Sequence, residues 1–427
     1  MTAQPLLPPR AEMERAFLAS DSTYNGLFFT AVRTTGIFCL PACPTYLLWH
    51  EEMDSPRGRI HLIRALEDGT LGLDADVVRH LDLCLGCRAC ETACPSGVRY
   101  GEIIEEARAY IERHAERSPA DRLRRRAVLA TFPHRRRVRL LLGLGRVARA
   151  LGLWPLVQRW LPGAELLPSE PAPGPRGAFH AAVDSETLRV GLLAGCIGSE
   201  VFGHVNAAAV RLLTANGVAV VQPPGQGCCG ALHLHGGDPN AARALARRNL
   251  DAFPSELDAI VVTAAGCGST LKEYGHLLAG DARYGERAQR FAARVRDVTE
   301  IVAALDIEPP PGRPRSLRVA YHDACHLAHA QGVRTAPRQI LARVPGVELV
   351  PLAESDVCCG SAGSYNLTEP EMALRLRERK IDHIVASGAE CVAAANPGCV
   401  LQIRAGLAAR GLNIRVVHPI ELLDGTA

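Results

Sequence analysis

Gly227-Cys228-Cys229-Gly230-Ala231 and, 130 residues further on, Val357-Cys358-Cys359-Gly360-Ser361 decide the reading of this chain. Each pair has a cysteine before it and one after it: Cys196 and Cys267 in the first case, Cys325 and Cys399 in the second. The leading gaps hold 31 and 32 residues and the trailing gaps 37 and 39. A domain-sized period means two copies of one module. Adjacent cysteines do not readily form a disulfide with each other, because their side chains diverge. Side-by-side thiolates, joined by two more from strand ends, do make a metal cage. Gly230 and Gly360 let the backbone turn tightly beside it.

The surrounding pattern is α/β. Val190–Ala194, Val218–Val221 and Ala259–Thr263 are predicted strands, with helices at Asn206–Asn216 and Asn240–Phe253 between them. Arg318–Tyr321, Val347–Val350 and Cys391–Ala394 repeat the series. Strands alternating with helices imply a parallel sheet, and the key cysteines fall after strands, where such sheets bind ligands. Cys391 lies within a strand and reads as a small buried hydrophobe.

Upstream stands Cys84-Leu-Gly-Cys87-Arg-Ala-Cys90-Glu-Thr-Ala-Cys94-Pro95, the spacing by which thiolates hold cubane iron–sulfur clusters. Three cysteines of such a run serve one cluster, and the fourth, before proline, serves another. Cys84, Cys87 and Cys90 are then completed by Cys43, in Cys39-Leu-Pro-Ala-Cys43-Pro44. The matching first motif is damaged. Gly36 and Arg33 stand where two thiolates belong, which leaves Cys39 and Cys94 alone for a second cluster. One four-iron cluster is expected and a second is doubtful. Cysteines that are merely buried, or that bind zinc, are the alternative.

Composition agrees with a metal-binding globular chain. The 427 residues suffice for two to four domains, and 48% are hydrophobic. A formal charge of +3 is too small to suggest nucleic acid as a partner. Fifteen cysteines without a signal-peptide core point to a cytoplasmic chain that binds metal rather than one held by disulfides. Residues 121–162 are basic and apolar: Arg122, Arg124, Arg125, Arg126, Arg135, Arg136, Arg137 and Arg139 accompany a stripe of Leu140, Leu141, Leu144, Val147, Leu151 and Leu156. Such a helix can lie in a headgroup layer, peripheral on the inner face of a membrane, or pack on protein. Pro168, Pro171, Pro173 and Pro175 mark a linker.

Three families are resembled. Cys43-Pro-Thr-Tyr-Leu-Leu48, Asp54–Ile60, His80–Val98, Cys358–Leu367 and Asn396-Pro-Gly-Cys399 resemble the iron–sulfur subunit of glycolate oxidase, over residues 39 to 427. The repeated modules resemble the cysteine-rich CCG domains of heterodisulfide reductase-type and glycolate oxidase-type subunits. The fullest form of those domains ends in Cys-x-x-Cys, whereas Ala264 and Asn396 stand here where the first cysteine of each would be. Four thiolates per module can still hold zinc or an iron–sulfur centre. Asn25–Cys39 instead resembles the metal-binding domain of Ada-type DNA phosphotriester methyltransferases, in which Cys39 and Cys43 would bind zinc with a later Cys-x-x-Cys. The N-terminus thus reads as foreign or recombined, or as an assembly fault, joined at the shared Cys-x-Pro-x-Cys-Pro string.

The expected architecture is an α/β C-terminal half of two repeated CCG modules behind an α-helical, ferredoxin-like iron–sulfur domain. Its expected parts are an atypical N-terminus (1–38), a 4Fe-4S domain (39–116), a basic apolar helix with Pro-rich linker (117–187) and modules at 188–306 and 316–427. The resemblance implies an electron-transfer subunit of a glycolate oxidase-type complex. Its partners would be flavin-containing 2-hydroxy-acid dehydrogenase subunits, and it would deliver electrons to a membrane acceptor. The chain carries no flavin-binding signature of its own. The other readings are a zinc-binding methyl acceptor using Cys39 and an inactive chimera. His233 and His235 beside the first pair read as loop residues or supports of the thiols rather than ligands. His322, His326 and His329 around Cys325 read as local structure, with hydrogen bonds from His322 and His326 to a cluster as the alternative.

Overall fold

The computed structural model describes residues 38–426, except 161–162, 169–171, 173, 176, 184, 308 and 310–315. Arg33, Gly36 and nearly all of the atypical N-terminus lie outside the described residues.

Strands β1 (Phe179–His180), β2 (Leu188–Leu193), β3 (Val218–Val221), β4 (Ala259–Val262) and β5 (Val295–Asp297) form one sheet in the order β1-β3-β2-β4-β5. Strands β6 (Leu317–His322), β7 (Val347–Val350), β8 (Cys391–Ala394) and β9 (Arg415–Val417) form the second in the order β7-β6-β8-β9. Apart from β1, which runs antiparallel to β3, every pairing is parallel. The order β3-β2-β4-β5 is therefore the order β7-β6-β8-β9, and the sequence repeat is a repeat of topology. Both central strands bury their last four residues on both faces, as parallel strands covered by crossover helices must. Cys391 is fully buried in β8, inside the core cluster that both modules share.

β5 and β9 escape a sequence reading because each is only three residues long, with charged residues exposed at the edge. Described residues on either side of the Pro-rich stretch are seated on the protein. Phe179 pairs with Val221, and Ala164 is buried.

The cysteine-rich N-terminal part is all helical, and capping by short polar side chains sets its helix starts. Ser55 accepts from the Gly58 amide at 3.0 Å at the head of helix Pro56–Glu67, and Asp74 from the Val77 amide at 2.9 Å at the head of helix Ala75–Asp82. Helix Tyr100–His114 packs Ile104 and Ile111 against Ile60, Leu66 and Leu81. Polar groups lock this unit to both modules. Arg88 pairs with Glu273, the Arg108 guanidinium donates to the His235 carbonyl at 3.2 Å, and Tyr365 Oη donates to the Leu83 carbonyl at 2.9 Å.

Helices Pro119–Thr131, Arg135–Ala150 and Trp154–Trp160 follow. Val138 and Leu142 of the middle helix join the module core, and Arg135 and Arg139 pair with Glu200 at 3.1 and 3.0 Å. The opposite face is apolar and uncovered: Leu140, Leu144, Val147 and Leu151 are 56–67% exposed. Among the described residues no helix is long and apolar enough to cross a membrane.

Candidate functional site

Cys43, Cys84, Cys87 and Cys90 come together, as their spacing implies. They wall one small buried cavity with Arg59 and Tyr100. Cys43 caps helix Pro44–Trp49, Cys84 follows helix Ala75–Asp82, and Cys90 sits in the short helix Ala89–Ala93. The loop between them turns on Gly86 and on Arg88, both left-handed. The Gly86 amide points at Cys84 Sγ from 3.4 Å and Tyr100 Oη from 3.6 Å. Arg59 is 1% exposed; it donates to the His80 carbonyl at 2.7 Å and to Thr45 Oγ1 at 3.1 Å, and reaches within 4.0 Å of Cys43 Sγ.

These features fit a four-iron cluster. Four converging thiols supply soft ligands, and a buried guanidinium offsets the net negative charge of a thiolate cluster. Burial, with neighbouring thiols, holds Cys87 and Cys90 well above the usual thiol range. Metal binding there releases protons.

Cys39 and Cys94 are half-buried and do not line that cavity. Burial also raises the Cys39 thiol above its ordinary value.

The first module gathers Cys196, Cys228, Cys229 and Cys267. Cys196 follows β2, the pair lies in the loop before helix Ala231–His235, and Cys267 is in the first turn of helix Ala265–Lys272 after β4. Cys196 and Cys228 sulfurs are 3.7 Å apart, and Cys229 touches both Cys228 and Cys267. Asn249 donates to the Cys228 carbonyl at 2.9 Å and Tyr274 to the Cys229 carbonyl at 2.8 Å, so the backbone of the pair is clamped.

The second module does the same with Cys325, Cys358, Cys359 and Cys399. Cys358 touches Cys325 and Cys359, and Cys359 touches Cys399. Gly360 has φ 86°, and a Cβ there would stand 2.5 Å from the Ala373 carbonyl oxygen. No other residue fits without moving the helix behind the pair. Asn396, at the place of the absent cysteine, holds its amide 3.6 Å from Cys399 Sγ.

All eight module thiols open on one shared, mostly apolar cavity of about 240 Å³, which Leu85 of the N-terminal loop also lines. Both sheets thus point their C-terminal ends at the same space. The N-terminal cage adjoins the second module: Cys87, Cys325 and Cys358 belong to one buried cluster.

The histidines divide. His329 contacts Thr92 Oγ1 at 3.0 Å, and His235 pairs with Glu105 at 2.9 Å, both across to the N-terminal part. His326 spans three parts of the chain, and His322 is buried against thiols. A sequence signal for either existed in His322-x-x-Cys325-His326, but only the fold shows what each faces.

Comparison with known proteins agrees with this architecture. Residues 190–272 and 319–404 match the family model "Cysteine-rich domain", 35–98 match "4Fe-4S dicluster domain" and 12–52 match "Metal binding domain of Ada". The last two overlap across Cys39 and Cys43. The chain is 30% identical over 343 residues to a fumarate reductase (CoM/CoB) subunit of Methanothermobacter marburgensis, covering 80% of this chain and 60% of that one. It is 35% identical over 391 residues to the glycolate oxidase iron–sulfur subunit of Escherichia coli, covering 91% of both. It is 38% identical over 405 residues to the probable glycolate oxidase iron–sulfur subunit of Bacillus subtilis, covering 90% of this chain and 91% of that one. An iron–sulfur cofactor and an electron-transfer role go with those matches. The chain belongs to the family of glycolate oxidase iron–sulfur subunits.

Proposed function

We propose that this chain carries electrons from flavin-containing subunits that oxidise a 2-hydroxy acid to an acceptor at the membrane. Cys84, Cys87, Cys90 and Cys43 hold a four-iron cluster in this reading, and the two module cages hold further metal. Bound iron–sulfur clusters supply one-electron chemistry, which lets a two-electron donor be discharged stepwise. The residues of the chain bind, shield and balance charge. Leu85 and other apolar side chains line the cavity beside the thiols. Arg59 sets positive charge beside Cys43, and Lys380, 2% exposed, does so near Cys358 and Cys359.

The observation that carries the proposal is the convergence of three thiol cages. Two open on one cavity, and the N-terminal cage packs on the second module. A set of independent structural zinc sites has no need of that contiguity. The names of the E. coli and B. subtilis relatives support glycolate oxidation as the work of the complex.

The methyl-acceptor reading rests on the Ada match and on Cys39. It needs an activated thiol and a zinc-binding Cys-x-x-Cys. Burial raises the Cys39 thiol, and Cys84 and Cys87 already face Cys43 and Cys90.

The test is anaerobic co-expression with the flavin-bearing partners. Glycolate or lactate should bleach the iron–sulfur absorption of the assembled complex and leave the isolated chain unchanged. A complex that forms, oxidises its substrate and leaves the clusters oxidised overturns the proposal.

A further inference from the structure

The two modules superpose in topology and in cysteine spacing, and at one position beside the thiols they differ in kind. β2 ends at Leu193, three residues before Cys196. β6 ends at His322, three residues before Cys325. Leu193 is buried in an apolar cluster with Cys196, Cys228 and Cys229. His322 is buried just as completely, at 0% exposure. Neither of its ring nitrogens has a well-formed hydrogen bond. An imidazole sealed from water is unfavourable unless something satisfies its nitrogens, and the partner within reach of the ring is the Cys359 sulfur.

What lies next to it is sulfur. A ring nitrogen of His322 and the sulfurs of Cys359 and Cys399 all lie within 4.8 Å of one another. Ligand atoms on one tetrahedral zinc or iron ion stand about 3.5–3.8 Å apart, given metal–sulfur bonds of about 2.3 Å and metal–nitrogen bonds of about 2.0 Å. Small side-chain rotations close that gap. Cys358 touches Cys359 on the side of Cys325 and lies outside this group of three. The second module also lacks the cysteine of the fullest pattern, and Asn396 in its place directs its amide group to Cys399 Sγ and the Gly266 amide.

We propose that His322 is a metal ligand, joining Cys359 and Cys399 in a mixed nitrogen–sulfur centre of the second module. The first module, with Leu193 at the equivalent position, keeps a cage of thiols alone. The ion is a borderline transition metal, zinc or iron, for which imidazole and thiolate are both good ligands. The two modules then differ in function as well as in sequence. A histidine ligand in place of a cysteine removes one negative charge, and in an iron centre that raises the reduction potential.

This rests on the reading that the second module holds metal, and the experiment separates the two. Full-length protein, purified anaerobically, is analysed for iron and zinc as wild type, Cys359→Ser, His322→Gln and His322→Leu. The leucine variant copies the twin position and guards against a folding defect in the glutamine variant. Cys359→Ser should lower one metal, and both His322 variants should lower the same metal by a comparable amount. The four-iron signal of the N-terminal cage should persist in all of them. If the metal is iron, pulsed EPR of the reduced wild type should show nitrogen coupling that the His322 variants lose. If it is zinc, X-ray absorption should show nitrogen among the sulfur neighbours. Metal lost in Cys359→Ser but unchanged in amount and spectrum in both His322 variants overturns the ligand assignment alone. No metal lost in Cys359→Ser overturns the parent reading and this inference with it.

Discussion

The imidazole Nε2 of His326 lies 3.1 Å from the carbonyl oxygen of Gly86. Gly86 is in the loop between Cys84 and Cys87, and His326 follows Cys325. The other ring nitrogen, Nδ1, lies 2.7 Å from Ser269 Oγ in the first module. One half-buried ring therefore joins the N-terminal cage to both modules. Burial and the nearby His235 hold its pKa down to about 3, so the ring is neutral. A neutral ring has one N–H and one lone pair. Nε2–H donates to the Gly86 carbonyl and Nδ1 accepts from the Ser269 hydroxyl, which uses both.

His326→Ala should therefore loosen the docking of the N-terminal cage while leaving each unit folded. Two part-buried hydrogen bonds are lost, each worth about 1 kcal/mol. Denaturant unfolding should show a lower midpoint, and limited proteolysis should cut faster between the N-terminal part and the modules. An unchanged midpoint and unchanged cleavage would show that the ring bears no share of the docking.

The N-terminal cage should carry one four-iron cluster. Cys87→Ser, which removes a thiol from the cavity wall, should abolish the reduced-state EPR signal and lower iron content. Cys94→Ser should leave that signal intact, because Cys94 does not line the cavity and its partners Arg33 and Gly36 cannot ligate iron through their side chains. A pair of magnetically interacting four-iron signals, one lost in each variant, would refute the single-cluster assignment.

The sequence carries the repeat, the parallel sheets and the grouping of Cys43 with Cys84, Cys87 and Cys90, because cysteine spacing and strand periodicity are local signals. The thiols of each module also cluster as the repeat implies. What it does not carry is how the units face one another. Leu85 reads as an ordinary loop leucine, yet it lines the cavity between the modules. His326 reads as loop chemistry, since its partners Gly86 and Ser269 are distant in sequence. Arg59 looks like one charge on a helix, and only the fold shows it buried between Asp54, which it pairs with at 3.5 Å, and Cys43 of the cage. The stripe from Leu140 to Leu151 is visible as a period, but period alone does not say whether it faces protein or solvent. Val138 and Leu142, one step around the same helix, are the residues that pack inward.

Acid should weaken the second module through His418. Its Nδ1 accepts from the Ile420 amide at 3.2 Å and so caps helix Pro419–Leu423. Burial depresses its pKa to about 4, against an unfolded value near 6.5. The native state then binds fewer protons than the unfolded state between those values. The contribution is complete above about pH 6.5 and is lost as pH falls towards 4, by at most about 1.4 kcal/mol per pH unit. His418→Asn keeps a capping side chain without the titration. Its stability relative to wild type should improve as pH is lowered from about 7.5 to 5.5. A difference independent of pH across that range would rule the mechanism out.

The uncovered face of helix Arg135–Ala150 should bind a membrane surface. Leu140, Leu144, Val147 and Leu151 stand at helical spacing and point outward, with Leu156 and Trp160 exposed on the next helix. Arg136 and Arg146 are exposed on the same helix. Arg135 and Arg139 are engaged by Glu200 and contribute less free charge. Apolar burial in the headgroup layer is then the main attraction, and each basic residue near anionic lipid adds roughly 1 kcal/mol. Vesicles containing anionic lipid should sediment the wild-type chain, and salt should weaken the binding in part. Leu144→Glu with Leu151→Glu places charge on the exposed face without touching Val138 or Leu142, so it should abolish sedimentation and leave the clusters intact. Sedimentation unaffected by those substitutions would remove the helix from the membrane contact. Loss of partner subunits instead of lipid binding would make the same face a subunit interface.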